Sequence, residues 1–300
     1  MTWRLAFLID PVPADDPRTD FTGTFAPIDP DAPALSVGDL SSNRGDGIFE
    51  SVAVVDGHAQ EVRAHLERLA HSARLCELPA PNPGQWRAAI EAAAAQCPPG
   101  EHTVKLLVSR GVQHGGPDAG IHGPTAWLTA APSADHSAVR RDGLKVVTLE
   151  RGYDSGAAAR APWLLLGAKT LSYAVNMAAI REAKRRGADD AVFVTSDGYV
   201  LEGPTSTVIF RRGDTFITPE PTGGILHGTT QLSVFDWLED NGHPTGYEHV
   251  PTAALLDADA AWFVSSVRLA TPLTHVDGRE LPVDRELTAA MNAYLLSPRD

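Results

Sequence analysis

A lysine, a glutamate and a glycine-rich turn are the groups of this chain whose settings suggest chemistry. Lys169 follows WLLLGA and precedes TLSYAVNM, an apolar neighbourhood for an amine. Burial there would disfavour the charged form and free the amine to attack an aldehyde or to act as a base. A lysine snorkelling from a strand end has the same local pattern. Tyr173 is four positions on, one turn away if a helix has begun, where its hydroxyl reaches the same place or its ring joins the core. Glu202 stands in YVLEGPTS. A carboxylate at such a sheet edge either binds a protonated ring nitrogen or is a solvated turn residue.

Gly223, Gly224 and Gly228 precede a helix that begins near Thr229. The backbone N–H groups of a helix start, with the Thr229 and Thr230 hydroxyls, would cradle a phosphate without a lysine. An ordinary glycine turn and helix cap account for the same residues. Neither a nucleoside-triphosphate loop nor a dinucleotide glycine fingerprint occurs in a strand-to-helix setting. Arg44, Arg68, Arg110 and Arg268 are the basic residues whose surroundings invite a binding role, against the commoner one of a structural ion pair. The histidines predict no metal site: His65 and His71 fall on different faces of one helix, and His114 and His122 lie in a Gly-rich loop. Ser109, Ser172 and Ser206 lack the strained glycine turn of a serine hydrolase.

The elements that must position these groups follow from periodicity. A first strand is predicted over residues 3–9, followed by a Pro- and Asp-rich surface arm from Asp10 to Pro33. GIFESVAVV, from Gly47 to Val55, is strand-like and ends at an Asp56-Gly57 turn. Val62, Leu66, Leu69 and Ala73 then recur at helical spacing within Glu61 to Leu75, and a second helix is predicted from Trp86 to Gln96. Further strands are expected at 103–109, 125–129 and 144–149. A helix is expected from Leu171 to Arg186, and closely spaced hairpin strands follow it. That order predicts an α+β fold with antiparallel or mixed sheet rather than repeating strand-helix units.

At 300 residues the chain can bury roughly 75% of its extended surface, enough for one large domain or two modest ones. Lys plus Arg number 25 against 38 Asp plus Glu, so a net charge of -13 argues against nucleic acid or an anionic membrane as partner. No apolar run reaches the roughly 20 residues of a membrane span. Two cysteines without metal-ligand spacing, and a start without a basic region and cleavage site, predict a cytoplasmic protein.

Taken together in order, SVGDLSSNRGDGIFES, HLERL, GAKTLSYAVNMAAIREAKRRGADDAVFVTSDGYVLEGPTSTVIF, TPEPTGGILHGTTQ and SSVRLATPL resemble the fold-type IV pyridoxal-phosphate enzymes. That family contains D-amino-acid and branched-chain aminotransferases and aminodeoxychorismate lyase. The resemblance implies pyridoxal 5'-phosphate as cofactor, Lys169 as the Schiff-base lysine, and Glu202 against the pyridine nitrogen. It implies that Arg68, Thr229 and Thr230 hold the phosphate, that Tyr173 lies near the cofactor hydroxyl, and that Ser206 and Thr207 belong to the cofactor site. It also implies a homodimer and a small-molecule amine or amino-acid substrate. A small N-terminal domain over 1–128, a connection over 129–139 and a larger domain over 140–300 are expected from it.

Thr207, His227, Gln231 and Ser172 replace residues frequent in the family, chiefly Asn, Pro, Arg and Asn. KTLSY resembles the KTLNY form of lyase-like members. Arg44 and Arg268, as substrate-binding residues, would suit a dicarboxylate through bidentate pairing. The reading favoured by sequence is therefore aminodeoxychorismate lyase, an elimination giving 4-aminobenzoate and pyruvate. The alternative is a D-amino-acid or branched-chain aminotransferase.

Overall fold

A computed structural model describes residues 3–113 and 120–300, so His114 lies outside the described residues. The chain forms two compact units, one of Met1–Ala134, Ala168–Tyr173 and Pro298–Asp300, the other of Asp135–Gly167 and Ala174–Ser297.

The first unit is built on a six-stranded antiparallel sheet in the order Phe25–Ile28, Leu5–Ile9, Thr125–Pro132, Glu101–Ser109, Gly47–Val55, His58–Ala59. Alternation sets its buried face: Val52, Val54, Val104, Leu106 and Leu128 are all inaccessible to solvent or nearly so. The helix Val62–Leu75 packs on the Gly47–Val55 strand and buries Leu66, Leu69 and Ala73, as its period requires. Glu61 stands outside it in a left-handed conformation. The second helix is Pro83–Ala94 and starts before the expected Trp86, because Asn82 accepts from the Gln85 N–H and Pro83 takes the first turn. The Asp10 to Pro33 arm is not all surface loop. Its Phe25–Ile28 segment is an edge strand, where Pro27 is tolerated, and Phe21 is buried.

The second unit holds a mixed sheet in the order Asp190–Val194, Leu144–Glu150, Leu269–Val276, Ala260–Ser265, Thr207–Arg212, Thr215–Pro219, Thr245–Glu248. Leu144–Glu150 runs parallel to both its neighbours, and Thr215–Pro219 parallel to Thr245–Glu248. Alternate residues feed two cores: Val208, Phe210, Phe263 and Leu273 on one side, Ile209, Trp262 and Ala270 on the other. The helices Thr229–Asp240 and Arg285–Leu296 cover the second side, where the Trp262 indole N–H donates to Thr288 at 2.8 Å.

The helix expected from Leu171 begins at Ala174 and runs to Arg185. Backbone pairing wins over helical period at its start: Ile48 bridges Thr170, and the Leu171 N–H donates to the Gly47 carbonyl. Tyr173 is thus four residues along an extended segment from Lys169, not one helical turn.

No described helix is long and apolar enough to cross a membrane. Cys76 and Cys97 are free thiols, and burial pushes the Cys97 thiol up to about 11.

Candidate active site

In the first unit the lysine is held by its backbone on both sides. The Lys169 carbonyl accepts from the Phe49 N–H at 3.0 Å, and its N–H donates to the Ser72 hydroxyl at 3.1 Å. This ties residues 168–173 to the strand Gly47–Val55 and to the helix Val62–Leu75. Lys169 Nζ lies 4.5 Å from the centre of the Phe49 ring and 5.9 Å from that of Tyr173, and the two rings meet edge to face. Gly47 leaves room for this approach, since a Cβ there would stand 2.5 Å from the Val108 carbonyl oxygen and 2.7 Å from Leu171. Ser172 donates to the Gly45 carbonyl at 3.1 Å.

Arg68, on the Lys169-binding face of the same unit, is oriented by a residue that sequence reasoning missed. Glu50 is fully buried and accepts from Arg68 Nε at 2.7 Å and Nη2 at 2.8 Å, while His65 Nδ1 lies 2.8 Å from its second oxygen. Burial opposes ionisation of Glu50, but the Arg68 guanidinium outweighs it, with help from His65, and holds the carboxyl far below the usual carboxylate range. Its signal was in the strand's parity: Glu50 shares the buried face with Ile48, Val52 and Val54. His65 belongs to this cluster and His71 contacts Arg74 instead. Among the described residues no group of His, Cys, Asp and Glu could hold a metal.

Arg110 is spent within the unit, on Asp46 and on the carbonyls of Cys76 and Glu77. Arg44 is exposed on the last turn of the short helix Leu40–Arg44.

In the second unit the helix Thr229–Asp240 starts at Gly228 with no side-chain cap. Gly228 has an ordinary extended backbone, so its need for glycine is one of space: a Cβ would fall 2.2 Å from Thr207 Oγ1. Thr207, Thr229 and Thr230 are all buried. Ser266 Oγ stands 3.3 Å from Thr230 Oγ1 and 3.5 Å from Thr229 Oγ1. Glu202 is half-buried, and its carboxylate accepts from the Leu226 N–H at 3.3 Å at the base of the glycine turn. Arg268 is not an open cation. Its guanidinium donates to Asp190 at 2.8 Å and to the Ser206 hydroxyl at 2.8 Å. Of the residues that depart from the family pattern, His227 and Gln231 both reach the Tyr247 hydroxyl, at 3.3 and 3.0 Å.

Each unit therefore brings part of the expected set together. Lys169, Tyr173 and Arg68 belong to the first, and Glu202, Ser206, Thr207, Thr229 and Thr230 to the second.

The sequence profile of amino-transferase class IV matches residues 47–276, which span all of these groups from the Glu50 strand to the turn of Arg268. The chain belongs to the class IV aminotransferase family. Membership makes it a fold-type IV pyridoxal-phosphate enzyme, with the mixed α+β, two-domain architecture of that class. The chain is similar to a bifunctional aminodeoxychorismate lyase / D-amino acid transaminase of Mycobacterium tuberculosis, with 42% identity over 85% of this chain and 90% of that one. Among solved structures it is similar to a fold IV-transaminase from Curtobacterium pusillum, with TM-score 0.90 and 46% identity over 98% of this chain and 99% of that one. It is also similar to a hypothetical aminotransferase from Mycobacterium tuberculosis in its PLP-bound form, with TM-score 0.86 and 38% identity over 97% and 98% of the two chains.

The donor set fits that cofactor. An amine against aromatic rings suits a carbonyl on a flat ring, and a helix start where a side chain at Gly228 would displace Thr207, beside buried hydroxyls, suits a phosphate.

Proposed function

We propose that this protein is a pyridoxal-phosphate-dependent aminotransferase acting on small amino acids, with D-amino acids or branched-chain amino acids as donors. The observation that carries the reading is the placement of Lys169: an amine fixed through its own backbone to two elements and set over the Phe49 ring. Its similarity to the Curtobacterium transaminase over nearly the whole of both chains supports the same class of reaction.

When bound, pyridoxal phosphate supplies an electrophilic carbon and a ring that accepts the electron pair released beside the substrate's amino group. The chain's own residues supply the rest. Lys169 Nζ would hold the cofactor and carry the proton from the substrate carbon to the carbon that the cofactor supplies, as an amine held in one place can. Glu202 holds a proton at the ring nitrogen. In the first unit Arg68, kept in one orientation by Glu50, offers a cation for phosphate, and in the second the start of the helix at Thr229 and Thr230, with Thr207 beside Gly228, offers backbone N–H groups. Tyr173, with its ring centre 5.9 Å from Lys169 Nζ, would lie near the cofactor hydroxyl.

Aminodeoxychorismate lyase is the second reading. The mycobacterial relative carries that activity in its name beside D-amino acid transamination. Of the two arginines that would suit a dicarboxylate, Arg268 is engaged by Asp190 and Ser206, which weakens its support for this reading, and Arg44 stands exposed. A homodimer is supported by exposed apolar side chains of the second unit, with Trp163 at 75% and Val175 at 58% exposure. Free thiols, buried at Cys76 and half-buried at Cys97, suit a cytoplasmic setting.

The test is a donor panel. Purified, cofactor-loaded protein receives D-alanine, D-glutamate, L-leucine or L-valine with 2-oxoglutarate or pyruvate as acceptor. Keto-acid formation from at least one donor, lost in Lys169→Ala, supports the reading. Absence of transfer from every donor, in a protein that binds the cofactor, would count against it.

A further inference from the structure

The sequence set Arg268 aside as a substrate ligand, yet its guanidinium is turned into the second unit. Its side chain is 17% exposed and that of its partner Asp190, the first residue of the strand Asp190–Val194, only 3%. The second N–H group reaches the hydroxyl of buried Ser206. The backbone of the same turn is held from the other direction: Arg140 donates from Nε to the Arg268 carbonyl at 3.1 Å and from Nη2 to the Val267 carbonyl at 3.0 Å. A turn clamped by two guanidiniums has little freedom.

That turn and Ser206 flank the helix start at Gly228. Ser266, two residues before Arg268, touches both threonine hydroxyls of the helix start. Thr207, next to Ser206, fills the space that a side chain at 228 would need. One guanidinium thus links the Ser206-Thr207 segment, which meets the helix start at Gly228, to the Ser266–Arg268 turn, which meets it at Thr229 and Thr230. The Asp190 carboxylate pairs the buried positive charge locally, which offsets the cost of placing a guanidinium there.

We propose that Arg268 is a positioning residue for phosphate binding: paired with Asp190, it fixes Ser206 and the Ser266 turn on either side of the Gly228–Thr230 helix start. The inference rests on the reading of that helix start as the cofactor's phosphate cradle. It assigns Arg268 no contact with substrate and no part in proton transfer.

The experiment compares pyridoxal phosphate with pyridoxal, which has the same ring and carbonyl and no phosphate, in equilibrium titrations of the full chain freed of cofactor. In Arg268→Gln, the dissociation constant for pyridoxal phosphate should rise about tenfold, the scale of one charge-assisted hydrogen bond, while that for pyridoxal stays within about twofold. An equal weakening of both would overturn the proposal in favour of a general structural role. Unchanged cofactor binding with a raised KM for substrate would overturn it in favour of a substrate contact. Should Arg268→Gln fail to fold, Ser206→Ala keeps the Asp190 pair and removes the hydroxyl through which Arg268 reaches the cradle. It should lower the preference for the phosphate by about threefold to tenfold, up to the scale of the charge-assisted bond it loses, and an unchanged preference sinks the idea. Gly228→Ala separates the two layers of the argument. If it abolishes the preference for phosphate and Arg268→Gln leaves it intact, the cradle stands and the role of Arg268 falls. If Gly228→Ala leaves the preference intact, both fall.

Discussion

Glu50 is the residue on which the first unit's chemistry turns. A carboxylate with no solvent exposure is tolerable only while Arg68 and His65 stay with it, and losing one member of such a cluster costs about 3–5 kcal/mol. Glu50→Gln should therefore lower the free energy of unfolding at neutral pH by about 3 kcal/mol, measured by urea titration. The pH dependence has a definite sign. Because the folded-state value is depressed, the stability from Glu50 is complete above the ordinary glutamate range and is lost as pH falls through the lower folded value. The gap between wild type and Glu50→Gln should accordingly shrink steadily below about pH 4, and a constant gap would contradict the charged cluster. At Lys169 the expected loss is catalytic: Lys169→Ala should retain its fold by circular dichroism, and turnover should fall by at least about 10²–10⁴.

At the scale of elements, the lysine owes its place to strand pairing rather than to a helix. Gly47 is where the account is most exposed to test, since any side chain there collides with the Val108 carbonyl, Leu171 and the Ser109 backbone. Gly47→Ala should separate residues 168–173 from the strand, which amide exchange would register as lost protection at Phe49 and Leu171. Retained protection at both would show that the segment is held otherwise. The long strands, the Val62–Leu75 helix and the turn at Asp56-Gly57 were legible in sequence because period and turn chemistry act locally. The false helical start at Leu171 arose because TLSYAV has acceptable helical spacing. Only a non-local partner, the Gly47-Ile48 backbone, makes it extended. Asp190 and Ser266 gave no signal for the same reason: their partners Arg268, Thr229 and Thr230 are 78, 37 and 36 positions away.

For the whole molecule, the family was legible because several motifs occurred in one order, whereas the reaction branch was not. Arg268 looked like a second cationic ligand in a string of letters, and only coordinates show its guanidinium committed to Asp190 and Ser206. The exposed Trp163, Leu164, Val175 and Met177 give the second unit an apolar surface to cover. A native mass of about twice the 31.9 kDa chain is expected at micromolar concentration, and a monomer would contradict the homodimer. The most direct test of the proposed aminotransferase is a single turnover of the cofactor-loaded protein without any keto acid. Mixed with excess D-alanine or L-leucine, it should release one equivalent of the matching keto acid as the cofactor passes to its aminated form. Failure to respond to either amino acid, with 4-aminobenzoate and pyruvate formed in equal amounts from aminodeoxychorismate, would contradict transamination and establish the elimination instead.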